Sequence, residues 1–274
     1  MDERILQTMT DWAAEHESVR ALFETGPRVN KAAVQRESDP YEFIVLVRAY
    51  TDEIEQEDWS ARFGEETLQV GKTQIQPDPA YRILLASDIR LDLVVAEEAR
   101  IRALLAEDSL VAVCYDPEGA YADRSEATDL SRRTKKPTEQ EYEMWCQKFF
   151  KEATDTAAAL VSGNLIVAQR VMERLRTTLW KMNEAAVASD SSFLINLGRD
   201  GCNLKAYMDE VEFDHLARSY ARTDAGRIWD ALFQACMLFR KAGLRLNERE
   251  GFAYPKKMDV NMMHHLRDLW EAMR

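Results

Sequence analysis

The hydrophobic period of this chain changes near residue 136, and this change constrains the fold more than any other feature. Before it, short stretches rich in β-branched and aromatic residues predict strands, at 41–50, 67–75, 81–86, 89–95 and 110–114. After it, apolar residues recur at helical spacing, over 139–163, 165–188, 211–221, 225–242 and 260–273. Strands place every second residue on one face, whereas helices place every third or fourth there. The two periods therefore predict an α+β protein whose halves have different architectures.

The boundary between the two halves is a polar segment, 116–136, that contains Pro117 and Gly119. It ends in a basic cluster, namely Arg132, Arg133, Lys135 and Lys136. Such a composition is typical of a linker or an exposed loop. Thr138 followed by Glu141 is a capping-box pattern that starts a helix. We therefore expect a mixed β-sheet domain with flanking helices at 1–135 and an α-helical bundle domain at 136–274.

Composition excludes several classes of function. A net charge of −12 repels phosphate backbones, so nucleic-acid binding is not expected, whereas an acidic surface suits a cationic ligand. The longest apolar runs, such as 43–47 and 91–96, are too short to cross a bilayer, and no membrane association is expected. The charged start shows no signal-peptide pattern, and none of the four cysteines forms a Cys-x-x-Cys pair. These features predict a cytoplasmic protein.

Two features of the first half can carry chemistry. The turn Gly26-Pro27-Arg28 follows a strand and precedes a short helical stretch, a position from which backbone N–H groups can reach a phosphate. Asp92 is a lone carboxylate inside the apolar strand 91–95, where a charge is costly unless it faces a cation or hydrogen-bond donors.

Further carboxylates, Asp39 and Glu42, stand at the start of the strand 41–50. Two or three carboxylates on neighbouring strands form a hard-oxygen site of the kind that holds Mg²⁺ between nucleotide phosphates. Each feature alone also has an ordinary structural explanation, since Gly-Pro turns are common and acids at strand ends are usually solvated. From the residues alone, both interpretations stay open.

The sequence resembles the aminoglycoside 6-adenylyltransferase family, also called streptomycin adenylyltransferases, of the nucleotidyltransferase superfamily. The similarity covers nearly the whole chain. It is most specific in four stretches: Phe23-Glu24-Thr25-Gly26-Pro27-Arg28; Leu91-Asp92-Leu93; Lys136-Pro137-Thr138 with Glu141-Tyr142 and Phe149; and Leu232-Phe233 through Leu238-Phe239-Arg240-Lys241. The segment Gly198-Arg199 with Leu204-Lys205-Ala206-Tyr207 also resembles a family stretch, in which Arg199 replaces a lysine. The resemblance implies a nucleotidyltransferase-like domain at 1–135 and a helical domain of the substrate-binding type at 136–274.

The resemblance also implies an active site. The family pattern is Gly-Ser, then Asp-x-Asp/Glu, then a third Asp, with ATP held at the Gly-Ser turn and Mg²⁺ held by the acids. Gly26 matches the glycine, Glu42 the second acid and Asp92 the third, so Glu42 and Asp92 are the expected catalytic residues and metal ligands. Arg28 and Lys205 are expected to contact the phosphates of the ATP co-substrate.

Two positions depart from the family pattern. Pro27 stands where the family has Ser, which removes a hydroxyl and a backbone N–H. Pro40 stands where the first Asp of the family pattern belongs. The adjacent Asp39 is the candidate that could replace this missing acid as a metal ligand beside Glu42 and Asp92. Asp39 and Glu42 are three residues apart, so a regular strand would not put both on one face, whereas a bulge or bend at Pro40 would.

Two functional hypotheses follow from the resemblance. In the first, the chain transfers AMP from Mg-ATP to a hydroxyl of an aminoglycoside or another small polar acceptor. In the second, it is a catalytically inactive homologue that binds or senses a small molecule or a nucleotide. A different nucleotide or acceptor is a variant of the first hypothesis. A monomer or weak dimer is expected in either case.

Overall fold

The structure is a computed structural model that describes residues 3–31, 33, 36–50, 54, 56–75 and 78–274. The chain divides into two compact units, 1–132 and 133–274. The first unit contains a sheet and short helices, and the second is helical. This α+β architecture confirms the predicted fold class. None of the helices in the described ranges combines the length and the apolar character that crossing a membrane requires.

The strands of the described part of the first unit form one six-stranded sheet with the order β3-β4-β5-β2-β1-β6. Their bounds are β1 Val19–Thr25, β2 Tyr41–Val47, β3 Thr67–Ile75, β4 Asp78–Leu85, β5 Arg90–Glu97 and β6 Val111–Tyr115. The helices for which the described residues of this unit give bounds are α1 Glu3–Glu15, α2 Trp59–Phe63 and α3 Glu98–Glu107. Strands β2 and β5 are parallel, whereas the other paired strands are antiparallel. The sheet is therefore mixed, as expected.

Both faces of the sheet are covered because its strands carry apolar residues on alternate sides. One face, with Phe43 and Leu93, packs against α1, whose residues Ile5, Met9 and Trp12 are fully buried. The opposite face packs Phe23, Ile44 and Leu46 against Ile101 of α3. Strand β2 is buried along its whole length, as its run of β-branched and aromatic residues predicts.

The second unit is built from α4 Glu139–Val161, α5 Leu165–Ser189, α6 Leu204–Tyr207, α7 Glu210–Arg218, α8 Ala225–Glu250 and α9 Lys256–Ala272. Thr138 begins α4 with the predicted capping box, in which its hydroxyl accepts from the Glu141 N–H and the Glu141 carboxylate accepts in return. The core is centred on the stacked rings of Phe149 and Phe239, whose centroids are 3.8 Å apart.

Helix α8 runs well past residue 242, where the sequence pattern predicted its end. Gly243 lies inside the helix, and a Cβ at this position would lie 2.6 Å from the Tyr254 ring. The Gly243 carbonyl also accepts a hydrogen bond of 2.9 Å from the Tyr142 hydroxyl. The glycine therefore permits close packing inside a helix, and α8 ends only at Gly251, which has a φ of 78°.

Candidate active site

A row of polar side chains crosses four strands of the sheet on the face that packs against α3. The strand register sets Thr25 opposite Glu42, Glu42 opposite Asp92, and Asp92 opposite Arg82. Residues directly opposite each other on paired strands point to the same side of a sheet. The carboxylates of Glu42 and Asp92 are therefore neighbours, with a threonine on one flank and an arginine on the other.

The cation that Asp92 faces is Arg82. The guanidinium makes a bidentate contact, with Nε 2.7 Å from Asp92 Oδ1 and Nη2 3.1 Å from Oδ2. The pKa of Arg82 is raised by this hydrogen bond and by the charge of Asp92, with a smaller contribution from Glu42. The charge of Asp92 is thus compensated from the neighbouring strand, by a residue that the sequence pattern did not single out.

Gly26 lies directly against the Glu42 carboxylate. Its backbone has a φ of 84° and a ψ of −159°, a conformation that is essentially restricted to glycine. A Cβ at this position would lie 2.7 Å from both Cδ and Oε2 of Glu42. The glycine is therefore required twice, once for its backbone angle and once for the space beside a buried carboxylate.

Gly26→Ala is expected to lower the free energy of unfolding by about 1–3 kcal/mol, since it forces a disfavoured backbone conformation and displaces Glu42. Gly119→Ala is the matched control, because Gly119 also has a positive φ, 66°, but a methyl group there would meet no other residue within 4 Å. Urea denaturation of both variants measures the difference. Equal losses in the two variants would contradict a role for the contact with Glu42.

Asp108 binds Thr25, the residue at the end of the polar row opposite to Arg82. The Thr25 hydroxyl donates to Asp108 Oδ2 over 3.0 Å, and the Leu110 N–H and the Ser131 hydroxyl donate to Oδ1 over 3.0 and 2.9 Å. Arg132 adds an ion pair through Nε and Nη2. Sequence reasoning placed Arg132 in the basic cluster of the linker and missed Asp108, which had no distinguishing signal.

Burial alone would raise the pKa of Asp108, but its hydrogen bonds and the charge of Arg132 outweigh burial and lower the pKa to about 2. An unfolded Asp has a pKa of about 3.9, so this carboxylate stabilises the fold above about pH 4 and stops doing so as the pH falls through about 2. We expect the free energy of unfolding to fall by roughly 1–2 kcal/mol over this window on account of Asp108.

Asp108→Asn is expected to lack that part of the pH dependence. Urea denaturation between pH 2 and pH 6 tests it, with Asp123→Asn in an exposed loop as the control. A wild-type slope that survives in Asp108→Asn would show that other carboxylates cause the acid destabilisation.

Asp39 and Arg28 form hydrogen bonds with backbone groups of the segment just before β2. The Asp39 carboxylate accepts a 2.8 Å hydrogen bond from the Arg36 N–H. Arg28 is buried, donates to the carbonyls of Asp39 and Glu37 over 2.9 and 3.0 Å, and lies 3.9 Å from the centroid of the Tyr41 ring. Their roles in holding metal and phosphate stay predictions.

Lys205 belongs to the second unit, on α6. It is exposed, and its Nζ lies 5.4 Å from the centroid of the Phe213 ring. Its predicted contact with phosphate likewise stays a prediction.

The donor set decides which metal arrangement fits this site. Within the described ranges, no three His, Cys, Asp or Glu side chains are arranged so that they could hold a metal ion. Magnesium needs fewer protein ligands than three, because it usually keeps several waters and binds one or two carboxylates together with substrate phosphates. Glu42 and Asp92, opposite each other beside the Gly26 turn, fit that form of binding.

The chain is similar to proteins of one known family over nearly its full length. The family model described as streptomycin adenylyltransferase matches residues 1–269. The chain is 22% identical over 263 residues to an aminoglycoside 6-adenylyltransferase of Bacillus subtilis (strain 168), covering 93% of each chain. It is 19% identical over 279 residues to one of Staphylococcus aureus, covering 98% of this chain and 99% of that one.

The fold is also similar to a solved structure. The crystal structure of an aminoglycoside 6-adenyltransferase from Bacillus subtilis aligns with a TM-score of 0.50 at 19% identity. The alignment covers 98% of this chain and 99% of that chain, so the likeness in fold extends through both halves.

Proposed function

The chain belongs to the streptomycin adenylyltransferase family, and we propose on that basis that it transfers AMP from ATP to a hydroxyl of an aminoglycoside or a similar small polar acceptor. The observation that carries this proposal is the pairing of Glu42 with Asp92 across parallel strands, beside the Gly26 turn. Phosphoryl-type transfer depends on positioning the phosphates and on neutralising their charge. A glycine turn can position the phosphates, and acids beside it can hold the Mg²⁺ that neutralises the charge.

Each acid has a role in the proposed reaction. Glu42 and Asp92 would hold Mg²⁺ bound to the ATP phosphates, and that ion would neutralise phosphate charge during transfer. The acceptor hydroxyl oxygen forms a bond to the α-phosphorus, and the bond from the α-phosphorus to the oxygen of the leaving pyrophosphate breaks. Asp92 serves either as a metal ligand or as the base that accepts the hydroxyl proton. Asp39 is the proposed third ligand, and its carboxylate accepts a hydrogen bond from the Arg36 N–H in this structure.

The phosphates are proposed to lie at the Gly26 turn, with Arg28 and Lys205 as cationic contacts. Pro27 offers no backbone N–H, so this turn supplies fewer donors than a Gly-Ser turn would. A net charge of −12 is compatible with a polycationic acceptor, because opposite charges raise the rate of encounter. The helical domain, proposed at 136–274, would contribute the acceptor-binding surface.

The test is direct transfer of label. Purified protein is incubated with α-phosphate-labelled ATP, Mg²⁺ and a panel of aminoglycosides that includes streptomycin, and labelled acceptor is measured. We expect label on at least one acceptor and none above background without Mg²⁺. Calorimetry with the same ligands follows, since binding of ATP and acceptor without transfer would replace the proposal with the inactive, ligand-binding homologue.

A further inference from the structure

The contact between Arg82 and Asp92 has a consequence for the order in which ligands bind. Arg82 lies outside the stretches in which the resemblance to the family is most specific, yet the register of β4 and β5 sets it directly opposite Asp92. Its guanidinium engages both oxygens of the carboxylate, at 2.7 and 3.1 Å. The nucleotide-free site is therefore one in which Asp92 already has a cation.

A divalent ion and this guanidinium compete for the same carboxylate. Magnesium or manganese needs at least one Asp92 oxygen, and both oxygens accept from Arg82 in this structure. Like charges placed on one carboxylate repel each other, so Arg82 in this position lowers the affinity of Asp92 for a divalent ion. The side chain of Arg82 is 59% exposed, so solvent leaves it room to move.

Nucleotide phosphates are a natural second partner for a displaced guanidinium. Arginine binds phosphate in the same bidentate fashion as carboxylate. In the proposed function, the phosphates of ATP lie beside Glu42 and Asp92, which is within the reach of a side chain that already contacts Asp92. Moving Arg82 onto a phosphate would free Asp92 at the moment when the nucleotide brings its own metal ion.

We propose that Arg82 is a positioning residue that lowers the affinity of Asp92 for divalent ions until nucleotide phosphates draw its guanidinium away. This inference rests on the proposed function for the place of the phosphates. Its consequence is thermodynamic coupling, in which nucleotide and metal each raise the affinity of the protein for the other. Removing Arg82 should open the metal site in the nucleotide-free protein and weaken the coupling.

The experiment measures free Mn²⁺ by electron paramagnetic resonance during titration of the nucleotide-free full chain. We expect Arg82→Ala to bind Mn²⁺ about fivefold more tightly than the wild type, the size typical of a partly exposed ion pair. Arg82→Lys keeps the charge but loses the bidentate contact, so it should fall between the two. Arg4→Ala is the control, because it removes a similarly exposed guanidinium from another carboxylate, Glu65, and should leave Mn²⁺ affinity unchanged.

A second titration adds the non-hydrolysable analogue α,β-methylene-ATP. In the wild type, the analogue should raise the affinity for Mn²⁺ by a larger factor than in Arg82→Ala. The inference is overturned if Arg82→Ala binds Mn²⁺ no more tightly than the wild type without nucleotide, or if both proteins show equal coupling. Circular dichroism of each variant verifies that the fold is retained.

These outcomes are separate from those of the transfer assay. Coupling that depends on Arg82 without any AMP transfer would leave this inference standing and reject the proposed reaction. Transfer that proceeds while the Mn²⁺ affinities of wild type and Arg82→Ala coincide would reject the role of Arg82 alone.

Discussion

Asp92→Asn is expected to lower kcat/KM for AMP transfer by about a hundredfold to a thousandfold while leaving the fold intact. The amide keeps the size of the side chain but removes the charge that would bind metal and the oxygen that would accept a proton. Loss of one such electrostatic interaction at a transferring group costs about 3–4 kcal/mol of transition-state stabilisation. The guanidinium of Arg82 loses an ionic partner, but it is 59% exposed and is resolvated at little cost.

The measurement is the rate of labelled-AMP transfer at subsaturating ATP for the wild type and the variant. Asp88→Asn is the matched control, since Asp88 has a φ of 64° in the exposed turn between β4 and β5, a conformation that Asn tolerates. Retention of more than about a tenth of wild-type kcat/KM in Asp92→Asn would exclude Asp92 from the chemistry.

Phe239→Ala is expected to lower the free energy of unfolding of the second unit by about 3–5 kcal/mol, the usual cost of emptying a fully buried phenylalanine site. The ring is 0% exposed, stacks on Phe149 at 3.8 Å and meets Phe150 edge-on at 6.0 Å. Neither ring can fill the space left behind without leaving its own packing, so the cavity persists.

Urea denaturation followed by circular dichroism at 222 nm measures this loss. Met237→Ala is the control on the same helix, because Met237 is 45% exposed and its truncation should cost well under 1 kcal/mol. If the two variants unfold at the same urea concentration, the stacked pair does not anchor the core of this unit.

The elements that the sequence predicted well are those whose signals are local. Strand β2 was evident from its run of β-branched and aromatic residues, and the first turn of α4 was evident from Thr138 and Glu141, three residues apart. The end of α8 was predicted too early, at residue 242, whereas the next residue, Gly243, lies inside the helix and makes room for the Tyr254 ring, which follows the helix in the chain. The short helices α2 and α6 carry too few residues to show a period.

Some residues of the candidate site were identified from the sequence, and others were recognised only in the structure. Gly26, Glu42 and Asp92 were identified from residue type and family pattern, and strand pairing then brings them together. Arg82 and Asp108 were missed, because an arginine in an exposed strand position and an aspartate after a helix look ordinary until their partners are known.

Local sequence by itself determined the two halves, the strand and helix types and the acidic residues available for chemistry, since each depends on neighbours a few positions away. Tertiary structure alone decided that Asp92 meets Arg82 and that Glu42 fills the space beside Gly26. The reason is that the partner of a carboxylate in a sheet depends on the register of the paired strands, which the residue types next to that carboxylate in the chain do not reveal.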